Sequence, residues 1–346
     1  EYCIIAGRLI SGVCAGLYTP LVAIYVNEFV PYDINGACGA IYECLFTFGV
    51  LCSYMFGLNL KMNRDEHNQW WRIMIGFPIV IVIMNMLAFI LFFKHDTPKY
   101  LYINKKDKVG SRKALESIYQ TEECIENMLD DYEKLMEVTS EPPSMKEMFS
   151  NKYKLRTLII IALMVGEQTC GINALFMYSD VIFLKNNNIE TATLYTNLVG
   201  VIIFVSSFVA IFLLNKVGRR PLLLVGQAGV ALILLTLAIL YYYNVKAPLI
   251  YLFLLFTVFN GISLSPVPYI YATDLLPESG VGIGIMFNYL ASFLVTQTFM
   301  FLTSLISLYG TFLIYCILTF ICLIISLIYV KETKGLSSYE IEKMFT

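Results

Sequence analysis

Residues 166–183 read Gly-Glu-Gln-Thr-Cys-Gly-Ile-Asn-Ala-Leu-Phe-Met-Tyr-Ser-Asp-Val-Ile-Phe. They continue an apolar run that begins at Leu155, so the stretch lies at bilayer depth. Yet it carries Glu167, Gln168, Asn173, Tyr178 and Asp180. An acidic group at the centre of a membrane helix costs about 3 kcal/mol on the insertion scale. Gln168 and Asn173 stand about 140° apart on a helix of about 3.6 residues per turn, so a straight helix would splay them. Gly171 between them is a place where the helix can bend. A membrane helix with several amides and a flexible point predicts a face turned to a polar cavity. The competing interpretation is that the amides hydrogen-bond neighbouring helices as packing glue.

The whole chain has the same character. Of its 346 residues, 58% are hydrophobic and 14% are charged, with a mean hydropathy of +0.69. A soluble domain carries about 25% charged residues, so the expected class is an all-α polytopic membrane protein. A net charge of -2 gives no ground for a nucleic-acid partner. All of the nine cysteines but Cys124 fall in apolar segments, and no pair has metal-ligand spacing. They are expected to pack helices. His67 and His95 have no Cys or His nearby, so neither a metal site nor a cofactor is expected.

Nine segments are long and apolar enough to span a bilayer: 4–26, 36–58, 71–93, 155–184, 194–214, 221–243, 249–275, 281–303 and 309–330. A hydrophilic stretch, 94–154, separates the third from the fourth. Within it, 111–120 and 122–137 have helix-forming composition. Glu141-Pro142-Pro143-Ser144 breaks the run, and Ser144 is expected to cap a short helix ending near Phe149. Residues 94–156 hold twelve Lys and Arg; Lys216, Arg219, Arg220, Lys331, Lys334 and Lys343 fall on the same side if the segments alternate. The other side has only Lys61, Arg64, Lys185 and Lys246, with Arg72 at its border. The rich side is expected to be cytoplasmic. The expected domains are a partial N-terminal bundle (1–93), a cytoplasmic helical linker domain (94–154), a C-terminal six-helix bundle (155–330) and a cytoplasmic tail (331–346). Nine spans with a hydrophilic domain after the third fit a six-plus-six plan lacking its first three helices. The chain is therefore expected to be N-terminally incomplete.

The motifs become specific together. Gly7-Arg8 opens the first segment; Asn27-Glu28, Pro31 and Asn35-Gly36 follow it. Asp96-Thr97-Pro98-Lys99-Tyr100-Leu101 comes after the third, and Glu167-Gln168-Thr169-Cys170-Gly171-Ile172-Asn173-Ala174 lies in the fourth. Gly218-Arg219-Arg220-Pro221 links the fifth and sixth. Ser265-Pro266-Val267-Pro268-Tyr269 lies in the seventh, which ends near Asp274, and Lys331-Glu332-Thr333-Lys334-Gly335 follows the ninth. In this order and spacing the chain resembles the sugar porters of the major facilitator superfamily. It is similar to the facilitative glucose transporters and the apicomplexan hexose transporters, beginning at family helix four.

The resemblance implies the major facilitator fold, with nine of its twelve helices present. It also implies a sugar site between two helical bundles near mid-membrane, worked by alternating access. It makes Gln168 and Asn173 the sugar-facing amides, and uncharged amides suit hydroxyls because each offers a donor and an acceptor. Tyr178 then belongs to the extracellular gate. Pro266 and Pro268, counted with the gate, let the seventh segment kink near the site, and Tyr269 stands where many relatives carry Trp, the competing interpretation being a packing aromatic. Arg219 and Arg220 can fork onto carboxylates at helix ends, with Asp274, Glu28 and Glu332 as candidate partners that would tie the bundles together; the alternative is that the two arginines only set topology.

Several positions depart from the family pattern. Glu43 and Glu167 stand where relatives carry Gln, Ile203 where many carry Asn, and Ser292-Phe293 where many carry Asn-Trp. Met177 replaces a gate Tyr, while Asn35, Asn215 and Val281 replace charged residues of the cytoplasmic network. Glu43 and Glu167 are counted with the substrate-binding residues, and a carboxylate there must be hydrated, paired or protonated, which suggests coupling to a proton. Proton-coupled relatives use an acid on family helix one, which this sequence does not show. The expected function is hexose transport, facilitative or proton-coupled, in an integral membrane protein of the plasma membrane. The partners expected are a sugar, a proton in the coupled case, and the lipid bilayer. The rivals are a non-transporting sugar sensor on the same scaffold and a nonfunctional truncated transporter. No nucleophile–base pair or metal constellation points to a membrane enzyme.

Overall fold

A computed structural model describes residues 2–30, 35–62, 69–92, 96–138, 144–184, 189–245, 249–336 and 338–345. The expectations placed on Pro31, Arg64, His67, His95, Glu141, Pro142, Pro143, Lys185 and Lys246 lie outside them, as do those on the side chains of Asn27, Asn35, Lys61 and Asp180. The described residues form helices and short connections.

The first three apolar segments become α1 (Tyr2–Phe29), α2 (Asn35–Met62) and α3 (Trp70–Phe92). The hydrophilic stretch forms α4 (Pro98–Ile103), α5 (Lys108–Glu116), α6 (Glu122–Val138) and a 3-10 turn, Glu147–Phe149. Next come α7 (Lys154–Thr169), α8 (Ile172–Leu184), α9 (Ile189–Val217), α10 (Arg219–Tyr242) and α11 (Leu249–Phe259). A π-turn (Asn260–Leu264) leads to α12 (Pro266–Leu275), followed by α13 (Glu278–Tyr329) and α14 (Ser338–Phe345).

Among the described residues, eight helical stretches are long and apolar enough to cross a membrane, α7 with α8 and α11 with α12 each counting as one. The last, α13, has 52 residues, about 78 Å at 1.5 Å per residue and more than twice the hydrocarbon thickness. Ser307 breaks it with φ +63° and ψ 172°, at the connection expected between segments 281–303 and 309–330. The two halves of α13 thus account for the eighth and ninth segments.

Local chemistry sets the smaller boundaries. The Tyr100 N–H donates to the Thr97 hydroxyl at 3.4 Å and Pro98 takes the first helical position, which starts α4. The Gly110 N–H donates to Asp107 Oδ1 at 2.9 Å. That cap starts α5 at Lys108 rather than at the expected Ser111. Tyr102, Leu115, Ile125, Met128 and Tyr132 bury a small core between α4, α5 and α6. Ser144 does not cap as expected: its own N–H donates to the Glu147 carboxylate at 3.0 Å, and a single 3-10 turn follows. The tail is also more ordered than its composition suggests. α14 buries Ile341, and its Glu342 receives the buried Arg156 guanidinium at 2.5 and 3.0 Å.

In the membrane part, α13 lies against α7 and α10, and α2 lies against α9. Small residues permit the α7–α13 approach: a side chain at Gly166 would strike Cys322, and one at Gly284 would strike Ile160. α1 and α3 lie at the periphery, almost wholly exposed within the described residues.

Candidate functional site

The site starts from a broken helix. α7 ends at Thr169, Gly171 takes φ +89°, and α8 begins at Ile172. Only glycine adopts that conformation without strain, and a Cβ there would sit 2.5 Å from the Tyr315 ring. The break removes the splay a straight helix would impose. Asn173 Nδ2 donates to Gln168 Oε1 at 2.5 Å and to Ser292 Oγ at 2.7 Å. Gln168 Nε2 in turn donates to Asn288 Oδ1 at 3.0 Å and to Glu167 Oε1 at 3.4 Å.

Asn288, on α13, is the centre of this network and is only 1% exposed. Its Nδ2 donates to Glu167 Oε2 at 2.9 Å and to the Met164 carbonyl at 3.0 Å. Its Oδ1 also accepts from the Tyr269 hydroxyl at 3.1 Å. The sequence reading passed over Asn288, although an amide inside an apolar run is the same signal that selected Gln168. Glu43, on α2, accepts from the Ser265 hydroxyl at 2.5 Å. Ser265 follows the π-turn, and Pro266 and Pro268 open α12 behind it, where a missing N–H leaves no broken helical bond. The expected kink is therefore a π-turn just before the prolines.

These groups enclose a cavity of about 90 Å³ between α1 and α2 on one side and α7 to α13 on the other. It is lined by Glu43, Glu167, Gln168, Asn173 and Tyr269 among the expected residues, and by Ile203 and Ser292 among the departures. Thr19, Tyr42, Asn260, Asn288 and Tyr289 line it without having been singled out. Tyr178, Pro266 and Pro268 are not in its lining. Tyr178 stacks on Phe299 with ring centres 5.3 Å apart and donates to the Thr296 carbonyl at 3.3 Å.

The expected charge network separates into three parts. Arg219 Nε lies 3.3 Å from Asp274 Oδ2, with both side chains buried. Glu332 does not receive the guanidiniums; it accepts the backbone N–H groups of Arg219 and Arg220, both at 3.0 Å. Gly218, at φ +97°, precedes these N–H groups and leaves room for the Glu332 carboxylate, which is favoured at a helix N-terminus. Arg220 instead donates to the Leu327 carbonyl at 3.2 Å. Glu28 is apart from both arginines and interacts with Lys99, Thr97 and Glu278. Burial pushes its carboxyl above the ordinary range, against the pull of Lys99. Arg219, Asp274 and Glu332 join α10, α12 and the segment after α13, so within this charge network it is Glu28 that reaches from α1 to α13, at Glu278.

Among known proteins, the profile of the family described as "Sugar (and other) transporter" matches residues 1–345. Facilitated glucose transporter member 3 of Canis lupus familiaris is 28% identical over 355 residues, covering 99% of this chain and 70% of that protein. Facilitated glucose transporter member 2 of Gallus gallus is 29% identical over 359 residues, covering 99% of this chain and 65% of that protein. The chain thus spans about two thirds of the length of these relatives. The solved structure of the major facilitator superfamily proton:xylose symporter XylE bound to 6-bromo-6-deoxy-D-glucose superposes with a TM-score of 0.85 at 21% identity, covering 98% of this chain and 73% of that one. The likeness shows that the fold is that of the major facilitator superfamily.

Proposed function

The chain belongs to the family of sugar (and other) transporters, and we propose that it carries a hexose across the membrane by alternating access, with the sugar bound in the cavity between α2, α7–α8 and α13. The observation that carries this assignment is the hydrogen bond joining Gln168 to Asn173 across the α7–α8 break. It places two amides side by side on a membrane-buried cavity, where hydroxyl groups can exchange both donors and acceptors with them. The lining aromatics Tyr42, Tyr269 and Tyr289 offer faces for the C–H surface of a pyranose. The names of the relatives, facilitated glucose transporters, support a glucose-like substrate.

Transport is driven by the gradient of the sugar or by a coupled proton, and no enzymatic step is invoked. The Lys- and Arg-rich end, with α4 to α6 and α14, faces the cytoplasm of a cell whose plasma membrane holds the protein. Tyr178 and Phe299 act on the opposite side as part of the extracellular gate, and the Arg219–Asp274 pair steadies the cytoplasmic end.

Uptake of radiolabelled glucose and fructose by the full-length gene product, in cells lacking hexose transport, tests the assignment. Saturable uptake is expected to fall at least about tenfold in Gln168→Ala and in Asn173→Ala, the loss of about 1.4 kcal/mol of binding. Undiminished uptake in both variants, or no uptake by protein present at the surface, overturns it.

A further inference from the structure

Among the described residues, the cavity is lined by two carboxylates and no basic side chain. Glu43 enters it from α2 and Glu167 from α7, each 6% exposed. Among the described residues their hydrogen-bond donors are neutral: Ser265 for Glu43, and Asn288 and Gln168 for Glu167. No Lys, Arg or His is among the lining residues; the other titratable groups facing the space are the phenols of Tyr42, Tyr269 and Tyr289. The two carboxylates line the same space.

Two buried carboxylates with neutral partners are costly, because Coulombic attraction to a cation is what offsets their lost hydration. A neutral hexose supplies no such attraction, and glutamines at both positions would bind its hydroxyls without the cost. A cation entering the cavity would relieve both carboxylates at once. The walls suit one: Tyr42, Phe46, Phe176, Tyr269 and Tyr289 line the same cavity as the carboxylates, and aromatic rings attract cations. The amides of Gln168 and Asn173 and the Ser292 hydroxyl remain matched to hydroxyl groups.

Building on the assignment of this cavity as a sugar site, we propose that it selects a sugar bearing a protonated amine, with the ammonium held by Glu43 and Glu167. Binding to the purified protein, read as thermal protection at neutral pH, tests this with D-glucose, glucosamine and 6-amino-6-deoxy-D-glucose. At least one amino sugar is expected to bind about tenfold or more tightly than glucose, and the ratio is expected to approach one in Glu43→Gln/Glu167→Gln. Equal affinities in the unaltered protein, as when each carboxylate carries its own proton, overturn the proposal. So do a ratio unchanged by the double substitution and protection by none of the three. If the double variant does not fold, the ratio in the unaltered protein decides alone. Glucose uptake reads the transport assignment separately. Uptake with equal affinities defeats the amine and keeps the transporter; tight amine binding without uptake of any of the sugars defeats the transporter and keeps the amine site.

Discussion

Asn288, on α13, holds together groups contributed by two other helices, α7 and α12. It accepts from Gln168 and Tyr269 and donates to Glu167 and to the Met164 carbonyl. Truncation to alanine would leave Gln168 and Glu167 without that partner in a buried site, a cost of about 1–3 kcal/mol. Asn288→Ala is therefore expected to raise the KM for sugar about tenfold or more, with surface expression retained. An unchanged KM would mean that Asn288 does not set the orientation of Gln168. Single residues were legible in the sequence where they opposed their surroundings. Gln168, Asn173, Glu43 and Glu167 stand out because polar groups are expensive in an apolar run, and the structure puts all of them on one cavity. Asn288 opposes its surroundings equally, but it lies outside the family motif, which points to Ser292, one turn further along the helix. The partners of Glu332 and Glu28 were not legible, because charge alone does not say whether a carboxylate meets a guanidinium or a helix N-terminus.

The break at Gly171 does at the level of the helix what no single side chain could do. Gly171→Ala would force a Cβ into φ +89° and against Tyr315. A left-handed residue costs about 1–2 kcal/mol before any clash. The variant is expected to melt lower and to lose sugar affinity, because Gln168 and Asn173 would separate. A melting temperature and affinity equal to the parent's would show that the break is not needed. α14 depends on charge. Burial opposes ionisation of Glu342, but Arg156 and Lys152 outweigh it and hold the carboxyl below its ordinary value. A depressed carboxyl stabilises docking above its unfolded value and loses that contribution as pH falls through its folded value. Protease protection of 338–345 is thus expected to persist at neutral pH, to fade below the ordinary carboxylate range, and to be weakened at all pH values by Arg156→Ala. Protection independent of both would show that apolar contacts such as Ile341 hold the helix alone. Composition revealed which stretches form long apolar helices but not where most of those helices break. An apolar run reads alike whether it forms one helix or two, so the α7–α8 break and the π-turn rest on a glycine and two prolines whose effect depends on tertiary packing. The bend at Ser307 has no such marker, and it was legible through length alone, because 52 residues exceed what one span requires.

The cavity is enclosed by two groups of helices that touch through few polar contacts. Glu43 on α2 receives Ser265, Thr19 on α1 meets Tyr289 on α13 at 2.8 Å, and the Tyr54 hydroxyl donates to the Phe176 carbonyl at 3.1 Å. Rocking one group against the other would exchange these bonds while leaving the Gln168–Asn173–Asn288 network intact within its own group, as alternating access requires. The class of protein and its family were legible because bilayer thickness and the six motifs constrain the whole length of the chain at once. A structure determined with bound glucose or an amino sugar examines where the substrate sits. The sugar is expected in the cavity between α2, α7–α8 and α13, within hydrogen-bonding distance of Gln168 and Asn173. A saturating sugar found elsewhere, with that cavity filled only by side chains or water, would contradict the account.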